Sequence, residues 1–457
     1  MMASSNLFRR NLMNFVIIGG DAAGMSAASR AKRNQPDIQV TVIERTQDVS
    51  FSACGMPYNI ADSRRPMDDL IVRSVDAFQK QGIRMLMGHE AIGIDRNARM
   101  VHGVTLQKEP FAIPYDKLLI ATGAAPVVPD ISGADLPGVM TLKHLEDGRR
   151  IKSFIAGKPV SRAIIVGMGY IAMEMCEALR ERSIAVTMVK PRSTLFPWMN
   201  DQLSQVIHQE LQSNGVILQL GFSPEHIEKT NRGLKLCSVD TELEADMILL
   251  AIGVKPNSRI ASASGIETGV HDAISVDHRL QTSDPSIFSA GDCADAFHVV
   301  TGEKVWIPLA LRANRGGWAV ADNVLGKSVE LPGIAGTAVF KVFHLEVART
   351  GLSLQESVSA GFSPVDTVIQ SRSRAHAHPG SSPIWVHMIG DTRSGRLLGV
   401  QMVGREGAAH RINAAAVALH THMTVEAFSQ SDMAYAPPFG PVWDPLLTAA
   451  NQLLKKM

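Results

Sequence analysis

Cys54 stands in the run Ser50-Phe51-Ser52-Ala53-Cys54-Gly55-Met56-Pro57-Tyr58, a setting that suits a nucleophile. Proline is tolerated in the first turn of a helix, so Pro57 predicts a helix opening just after the cysteine. Free backbone N–H groups and the positive end of such a helix favour a thiolate, the reactive form of the side chain. The competing reading of an isolated cysteine is a small buried hydrophobe. The other cysteines, Cys176, Cys237 and Cys293, form no CxxC pair, and no Cys/His spacing resembles a zinc site. His420 and His422 form an HxH in an apolar, helical run and are not read as metal ligands.

What tips the balance at Cys54 is its flanks. An apolar run at 15–18 leads into Gly19-Gly20-Asp21-Ala22-Ala23-Gly24, a small-residue helix at 25–32, a strand at 38–43 and then Glu44. This is a βαβ unit with a glycine-rich first turn, in which a pyrophosphate can approach the backbone at a helix N-terminus. Glu44 stands where a carboxylate accepts from ribose hydroxyls, while Asp21 replaces the middle glycine of the pattern. The arrangement recurs. A strand at 163–166 enters Gly167-Met168-Gly169-Tyr170-Ile171-Ala172, a helix running to 179 and a strand at 185–189. Here Lys190 and Arg192 follow the second strand, where a unit selective for NADH carries an acid. Two cations attract a 2′-phosphate, so NADPH is favoured over NADH; the alternative is a pair of solvated surface charges.

These units need further elements to complete them. The stretch 115–123 is a strand ending in Ala121-Thr122-Gly123, and 247–251 is another, followed by Ile252-Gly253 and a turn back towards the first unit. A third strand closes in Ser289-Ala290-Gly291-Asp292, and after Pro308 an alanine-rich helix runs to about residue 324. From 337 the texture changes to strands at 338–343 and 384–389, an exposed loop at 371–381 and amphipathic helices at 411–420 and 444–455. The fold class is therefore α/β: two Rossmann-like dinucleotide-binding domains and a C-terminal α+β domain. The first domain is discontinuous, 14–124 with 257–330, the second spans 125–256, the third 331–457, and 1–13 is an extension.

Composition agrees with a multidomain globular protein. The chain has 457 residues, 45% hydrophobic and 19% charged, with a net charge of +1. Nothing points to nucleic acid or a membrane surface, and no stretch is apolar enough to span a bilayer. Arg9-Arg10 precedes an apolar run that reads better as a strand than as an export signal, so the cytoplasm is the expected location.

The ordered set of two Gly-rich units, Ala121-Thr122-Gly123, Ala251-Ile252-Gly253, Ser289-Ala290-Gly291-Asp292, the SFxxCGxPY run and the C-terminal Ala434-Tyr435-Ala436-Pro437-Pro438-Phe439-Gly440-Pro441-Val442-Trp443-Asp444 resembles the pyridine nucleotide–disulfide oxidoreductases. The likeness covers roughly 14–457 and is to their single-cysteine branch of coenzyme A-disulfide reductases, NADH oxidases and NADH peroxidases. It implies that FAD is held by the first glycine turn with Glu44, Arg45, Ala91, Ala121, Thr122, Gly123, Gly291 and Asp292, and by the helix opening at Leu309 and Ala310. NAD(P)H would be held by Gly167, Gly169, Tyr170, Ile171, Glu174, Lys190, Arg192 and Gly253, with Tyr170 covering the flavin and Glu174 placing the carboxamide. The third domain would form a homodimer and send residues into the partner's active site.

Within that group the CxxxxC partner position is Asn59, so Cys54 has no internal disulfide partner and must cycle through a mixed disulfide, a persulfide or a sulfenic acid. Cys293 is expected to be a packed residue. Oxidases and peroxidases carry a histidine where this chain has Ala22, and coenzyme A-disulfide reductases use two tyrosines, of which Tyr435 matches one and His378 stands near the place of the other. Tyr435 and His378 are thus the candidate acids beside the nucleophile, with interface packing and an ordinary loop histidine as alternatives. Arg64, Arg65, Arg73 and Lys80 are candidates for coenzyme A phosphates or for a solvated face. The expectation is an NAD(P)H-driven, FAD-dependent reductase of a small disulfide, persulfide or polysulfide, coenzyme A being the favoured carrier. Its rivals are an oxidase or peroxidase using Cys-sulfenic acid, and a flavoprotein serving a protein partner.

Overall fold

Aliphatic runs buried on both faces dictate parallel sheets covered by helices, and the computed structural model, which describes residues 13–457, contains two of them. The first has the order Ile287–Ser289, Lys117–Ile120, Asn14–Ile18, Gln39–Glu44, Ile83–Met87. The second runs Ile217–Leu220, Ala185–Lys190, Arg162–Val166, Met247–Leu250, Val139–Met140. The central strands explain the runs, since Phe15, Ile17, Ile164 and Ile165 are all buried. Each sheet is supplemented by a three-stranded antiparallel one, His89–Asp95 with Met100–Thr105 and Pro110–Pro114, and His226–Thr230 with Gly233–Cys237 and Glu242–Ala245. Between the two folds the chain crosses out at Ala124–Pro126 and back at Val254–Pro256, and these crossings pair antiparallel.

Boundaries shift where tertiary contacts extend the local signal. The first helix covers Ala22–Asn34, so Gly24 lies inside it rather than before it. Arg9 and Arg10 lie outside the described residues, but Met13 does not belong to an extension. It packs against the first core, and its carbonyl accepts from Gln39 N–H at 3.1 Å.

The C-terminal region is built on an antiparallel sheet ordered Ala338–Val342, Leu345–Gly351, Leu397–Gly404, Pro383–Asp391, Pro364–Arg372. Sequence periodicity missed its middle strand, Leu397–Gly404, because every residue in it is buried and Gln401 alone is polar, so no alternation marks it. The expected exposed loop at 371–381 is instead partly sheet, since Pro364–Arg372 carries its first residues and Ser373 is buried. Helices Ala408–His420 and Pro445–Leu454 cover the sheet.

Most consequential for Cys54 is the short helix Met56–Ala61. Met56 and Ile60 share one core with Met168 and Met173 of the second nucleotide fold. Lys152, on the helix Leu145–Gly157, ties down the end of this segment. Its ammonium donates to Asn59 O and Asn59 Oδ1 at 3.0 Å, to Asp62 O at 2.8 Å and to Arg65 O. Lys152→Met would leave these acceptors without their donor, at a cost of about 1–3 kcal/mol. Faster amide hydrogen exchange confined to residues 56–66 is the expected sign, and unchanged protection there would show that the clamp does not hold the segment.

Candidate functional site

A cavity of about 630 Å³ opens at the carboxyl ends of the first sheet, where parallel α/β folds gather their ligands. Its floor is the turn from Gly19 to Ala23, its flank Glu44 and Arg45, and its far side Ala121, Thr122, Gly123, Gly291 and Asp292, with Ala91 also lining it. A test of fit comes from the glycines. A Cβ on Gly19 would lie 2.2 Å from Ala121 O, and one on Gly24 would lie 1.9 Å from Gly19 O. Only glycine lets these segments approach closely enough to form the cradle, at Gly19 with a φ of +111°. Glu44 braces it, accepting from the N–H groups of Gly20 and Thr46 at 2.8 Å each. This donor and acceptor set fits FAD.

The Asp292 turn is held from behind. Trp306 donates its indole N–H to Asp292 O at 2.8 Å, and buried Arg312 donates to Gly291 O, Ala294 O and Asp295 O. Arg312 lies in the helix Ala310–Val324, whose N-cap is Leu309. The Asp292 carboxylate pairs with Lys143 at 2.9 Å. Lys143 also lines the cavity, and no motif announced it; it follows the proline-bearing linker without a pattern.

Asp21 is where the chain departs from a neutral cradle. Burial pushes its carboxyl up to about 6, Glu44 and Asp292 add to the rise, and Phe51 N–H and Lys143 oppose it. Desolvation without a closely paired cation disfavours the charged form.

Cys54 borders this cavity through Ala53, which lines it, and its own side chain is exposed, whereas Cys176, Cys237 and Cys293 are buried. Cys293 packs in the core with its thiol against Ile120 O at 3.4 Å. The expectation that a helix start favours the Cys54 thiolate needs correction. Cys54 sits in a single 3-10 turn, Ala53–Gly55, ahead of a six-residue helix, too short for a strong dipole. The thiol is pushed up instead, by the protein crowded around it, then by Glu174; Asp292 and Asp21 act in the same sense, and Lys143 against it. Glu174, on the helix Tyr170–Glu181, accepts from Tyr58 Oη at 3.0 Å. Tyr58 was not singled out from the sequence, although its place four residues after Cys54 on a helical stretch was a usable signal.

At the second glycine turn, a Cβ on Gly167 would lie 2.2 Å from Ala251 O, while Gly169 and Gly253 face open space. Ala172 is buried against the sheet, and Ile171 is exposed. Tyr170 does not line the cavity. Its ring stacks on Phe340 with centroids 4.7 Å apart, beside Trp198, because the C-terminal sheet offers it an aromatic surface. Lys190 donates to Leu195 O at 2.7 Å and is thereby committed to its own loop, leaving exposed Arg192 as the freer cation.

The remaining candidates lie on the surface. Arg64 pairs with Asp62 at 3.5 Å and Arg65 with Asp69 at 3.7 Å, while Arg73 donates to Ser29 Oγ at 3.3 Å and lies over the Phe78 ring; Lys80 is exposed. His378 meets Pro379 O at 3.0 Å, and Tyr435 is exposed. Neither lines the cavity, but a bond from Ala375 N–H to Pro437 O at 3.1 Å brings their two stretches together. Phe439, Val442 and Trp443 beside them are also exposed. Among the described residues, His226, Glu228 and Cys237 bring ligand atoms within 4.8 Å of one another, but Lys235 already pairs with Glu228 at 3.1 Å. No helix among them is long and apolar enough to cross a membrane.

The family described as pyridine nucleotide-disulphide oxidoreductase matches residues 13–317, and its dimerisation domain matches 337–445. A "NAD(P)H sulfur oxidoreductase (CoA-dependent)" of Pyrococcus furiosus is 37% identical over 96% of this chain and 98% of its own. An "NADH oxidase" of Methanocaldococcus jannaschii is 31% identical over 97% of this chain and 99% of its own. The solved structure of an NAD-dependent persulfide reductase from A. fulgidus superposes with a TM-score of 0.94 at 34% identity, covering 97% of this chain and 83% of that one.

The raised Asp21 carboxyl has a consequence for flavin retention. Below about 6 it is neutral; above, it places a negative charge in the glycine turn that lines the cavity, which would repel a bound pyrophosphate. Flavin affinity is therefore expected to weaken as pH rises through that value, and Asp21→Asn to flatten the dependence. Fluorescence of released FAD across pH 5–8 measures both. Equal slopes in the two proteins would remove Asp21 from the account.

Proposed function

The chain belongs to the pyridine nucleotide-disulphide oxidoreductases and is an oxidoreductase using FAD and NAD(P)H, and from that premise we propose that it reduces coenzyme A-linked disulfide, persulfide or polysulfide through Cys54 alone. The observation that carries this reading is the single exposed thiol at the edge of the flavin cavity, with every other cysteine buried and Asn59 in the place of a second active-site sulfur. The name of the Pyrococcus furiosus relative supports coenzyme A as the carrier.

Bound FAD supplies the relay that passes an electron pair from NAD(P)H to sulfur. The chain's own residues do the rest. The Cys54 thiolate attacks one sulfur of the substrate; the S–S bond breaks, the leaving thiolate takes a proton, and Cys54 keeps the other half as a mixed disulfide or persulfide. Two electrons and a proton then release the second thiol from the mixed disulfide, or sulfide from the persulfide, so one NAD(P)H and one proton are consumed for each S–S bond. Because its surroundings push the Cys54 thiol up, attack gains rate with pH until the thiol ionises, and Lys143 is the nearby cation that opposes this rise.

The first glycine turn, Glu44 and Asp292 would hold FAD, and Gly167, Gly169 and Glu174 the nicotinamide nucleotide. Arg192, with Lys190, would favour NADPH. Arg64, Arg65 and Arg73 would meet coenzyme A phosphates. The exposed Phe439, Val442 and Trp443 suit a homodimer interface, across which Tyr435 and His378 of one subunit would serve Cys54 of the other as acids for the leaving sulfur. The second reading, an NAD(P)H oxidase cycling through Cys-sulfenic acid, is favoured by the Methanocaldococcus jannaschii relative's name and opposed by Ala22.

Cys54→Ser decides between sulfur chemistry and electron transfer without it. Reduction of coenzyme A disulfide or persulfide should fall to background, while flavin reduction by NAD(P)H and transfer to a dye persist; retained sulfur reduction would end the thiol mechanism. Charge reversal of Lys190 and Arg192 together should lower kcat/KM for NADPH relative to NADH by about 10-fold or more, as for loss of a charge-assisted contact. An unchanged ratio would leave the two as solvated cations.

A further inference from the structure

Tyr58 has no role in the mechanism above, yet the fold fixes it with care. The helix Met56–Ala61 drives Met56, Asn59 and Ile60 into the interior and leaves Tyr58 on its open face. Lys152 holds the far end of that helix from one side, and Arg182 donates to Ile60 O at 3.1 Å from the other. Arg182 caps the helix Tyr170–Glu181, the helix that carries Glu174. The two helices are thus fixed against each other, and the bond from Tyr58 Oη to Glu174 Oε1 at 3.0 Å spans the gap between them.

We propose that Tyr58 is a positioning residue whose hydroxyl holds the Glu174 carboxylate between the second nucleotide site and Cys54, so that whatever engages Glu174 is felt at the Cys54 sulfur. The inference rests on reading Cys54 as the nucleophile. Its force comes from the charges that converge there. Facing Cys54 are Glu174, Asp292 and Asp21, which disfavour the thiolate, and Lys143, which favours it; Glu174 is the strongest of these. Facing Glu174 are Tyr58, whose bond favours its ionised form, and Glu177 and burial, which disfavour it. Facing Tyr58 are Glu174, Glu177 and Cys54, all of which keep the phenol protonated and therefore a donor. Glu174 titrates far below the Cys54 thiol and is charged where that thiol ionises, so removing the phenol hydroxyl would leave the carboxylate without the donor that offsets its charge and make Cys54 ionise less easily. A ligand that took over the Glu174 oxygens would act on Cys54 by the same route.

The test is the pH dependence of Cys54 alkylation by iodoacetamide in the FAD-loaded protein, followed by mass at the Cys54 peptide. Tyr58→Phe should move the midpoint to higher pH by about 0.5 unit, a roughly threefold slower reaction below the midpoint. Glu174→Gln should move it to lower pH, and the double variant should match Glu174→Gln alone, because Tyr58 acts through Glu174. A Tyr58→Phe midpoint that stays put or falls overturns the proposal, as do additive shifts in the double variant. Flavin content and thermal unfolding, recorded alongside, identify simple misfolding, and a purely architectural tie would change those while leaving the alkylation midpoint in place. Failure of the sulfur-reductase reading would appear separately, as sulfur reduction surviving in Cys54→Ser.

Discussion

The site around Cys54 depends on one shared hydrophobic core. Met56 and Ile60 from the helix that follows Cys54 pack with Met140, Met168 and Met173 from the second nucleotide fold, so the Cys54 turn is held against that fold. A six-residue helix is marginal by itself, since nucleation consumes most of what its few hydrogen bonds return. Its geometry comes from packing and from the oxygen acceptors gathered around Lys152. Methionine suits such a seam, because its unbranched side chain fills irregular gaps where two domains meet.

A second constraint is electrostatic. Asp21, Asp292 and Glu174 reach the neighbourhood of Cys54 from three different elements, and Lys143 is the cation that faces them. Without a compensating environment such a site disfavours both a thiolate and a phosphate. The chain answers at separate points: Lys143 pairs with Asp292, Tyr58 donates a hydrogen bond to Glu174, and Asp21 is pushed towards its neutral form. Ionisation of Cys54 is therefore set by burial and the assembled charges, and the short helix behind it contributes little.

The nucleotide turns were legible because backbone sterics write directly into residue type. Where a Cβ would meet a carbonyl within about 2 Å only glycine serves, and Gly19, Gly24 and Gly167 stand at such points. Glu44 was legible by its distance from the turn, and the exposed Cys54 by its flanking Gly55 and Pro57. The strand Leu397–Gly404 was not, since complete burial erases the alternation that marks a strand. Nor was the direction of the Cys54 shift, because Glu174 and Asp292 lie far from it in the chain and approach only through folding.

Sequence alone determined the two glycine-turn folds, their order and the absence of a second sulfur at Asn59, because each follows from local geometry or from residue identity. Tertiary structure alone decided that Tyr170 stacks on Phe340, that Lys190 is taken by Leu195 O, that Lys143 faces Asp292 and that Tyr58 meets Glu174. These are pairings between residues distant in the chain or between side chains free to turn either way. What selects them is the space and charge left once the cores have packed.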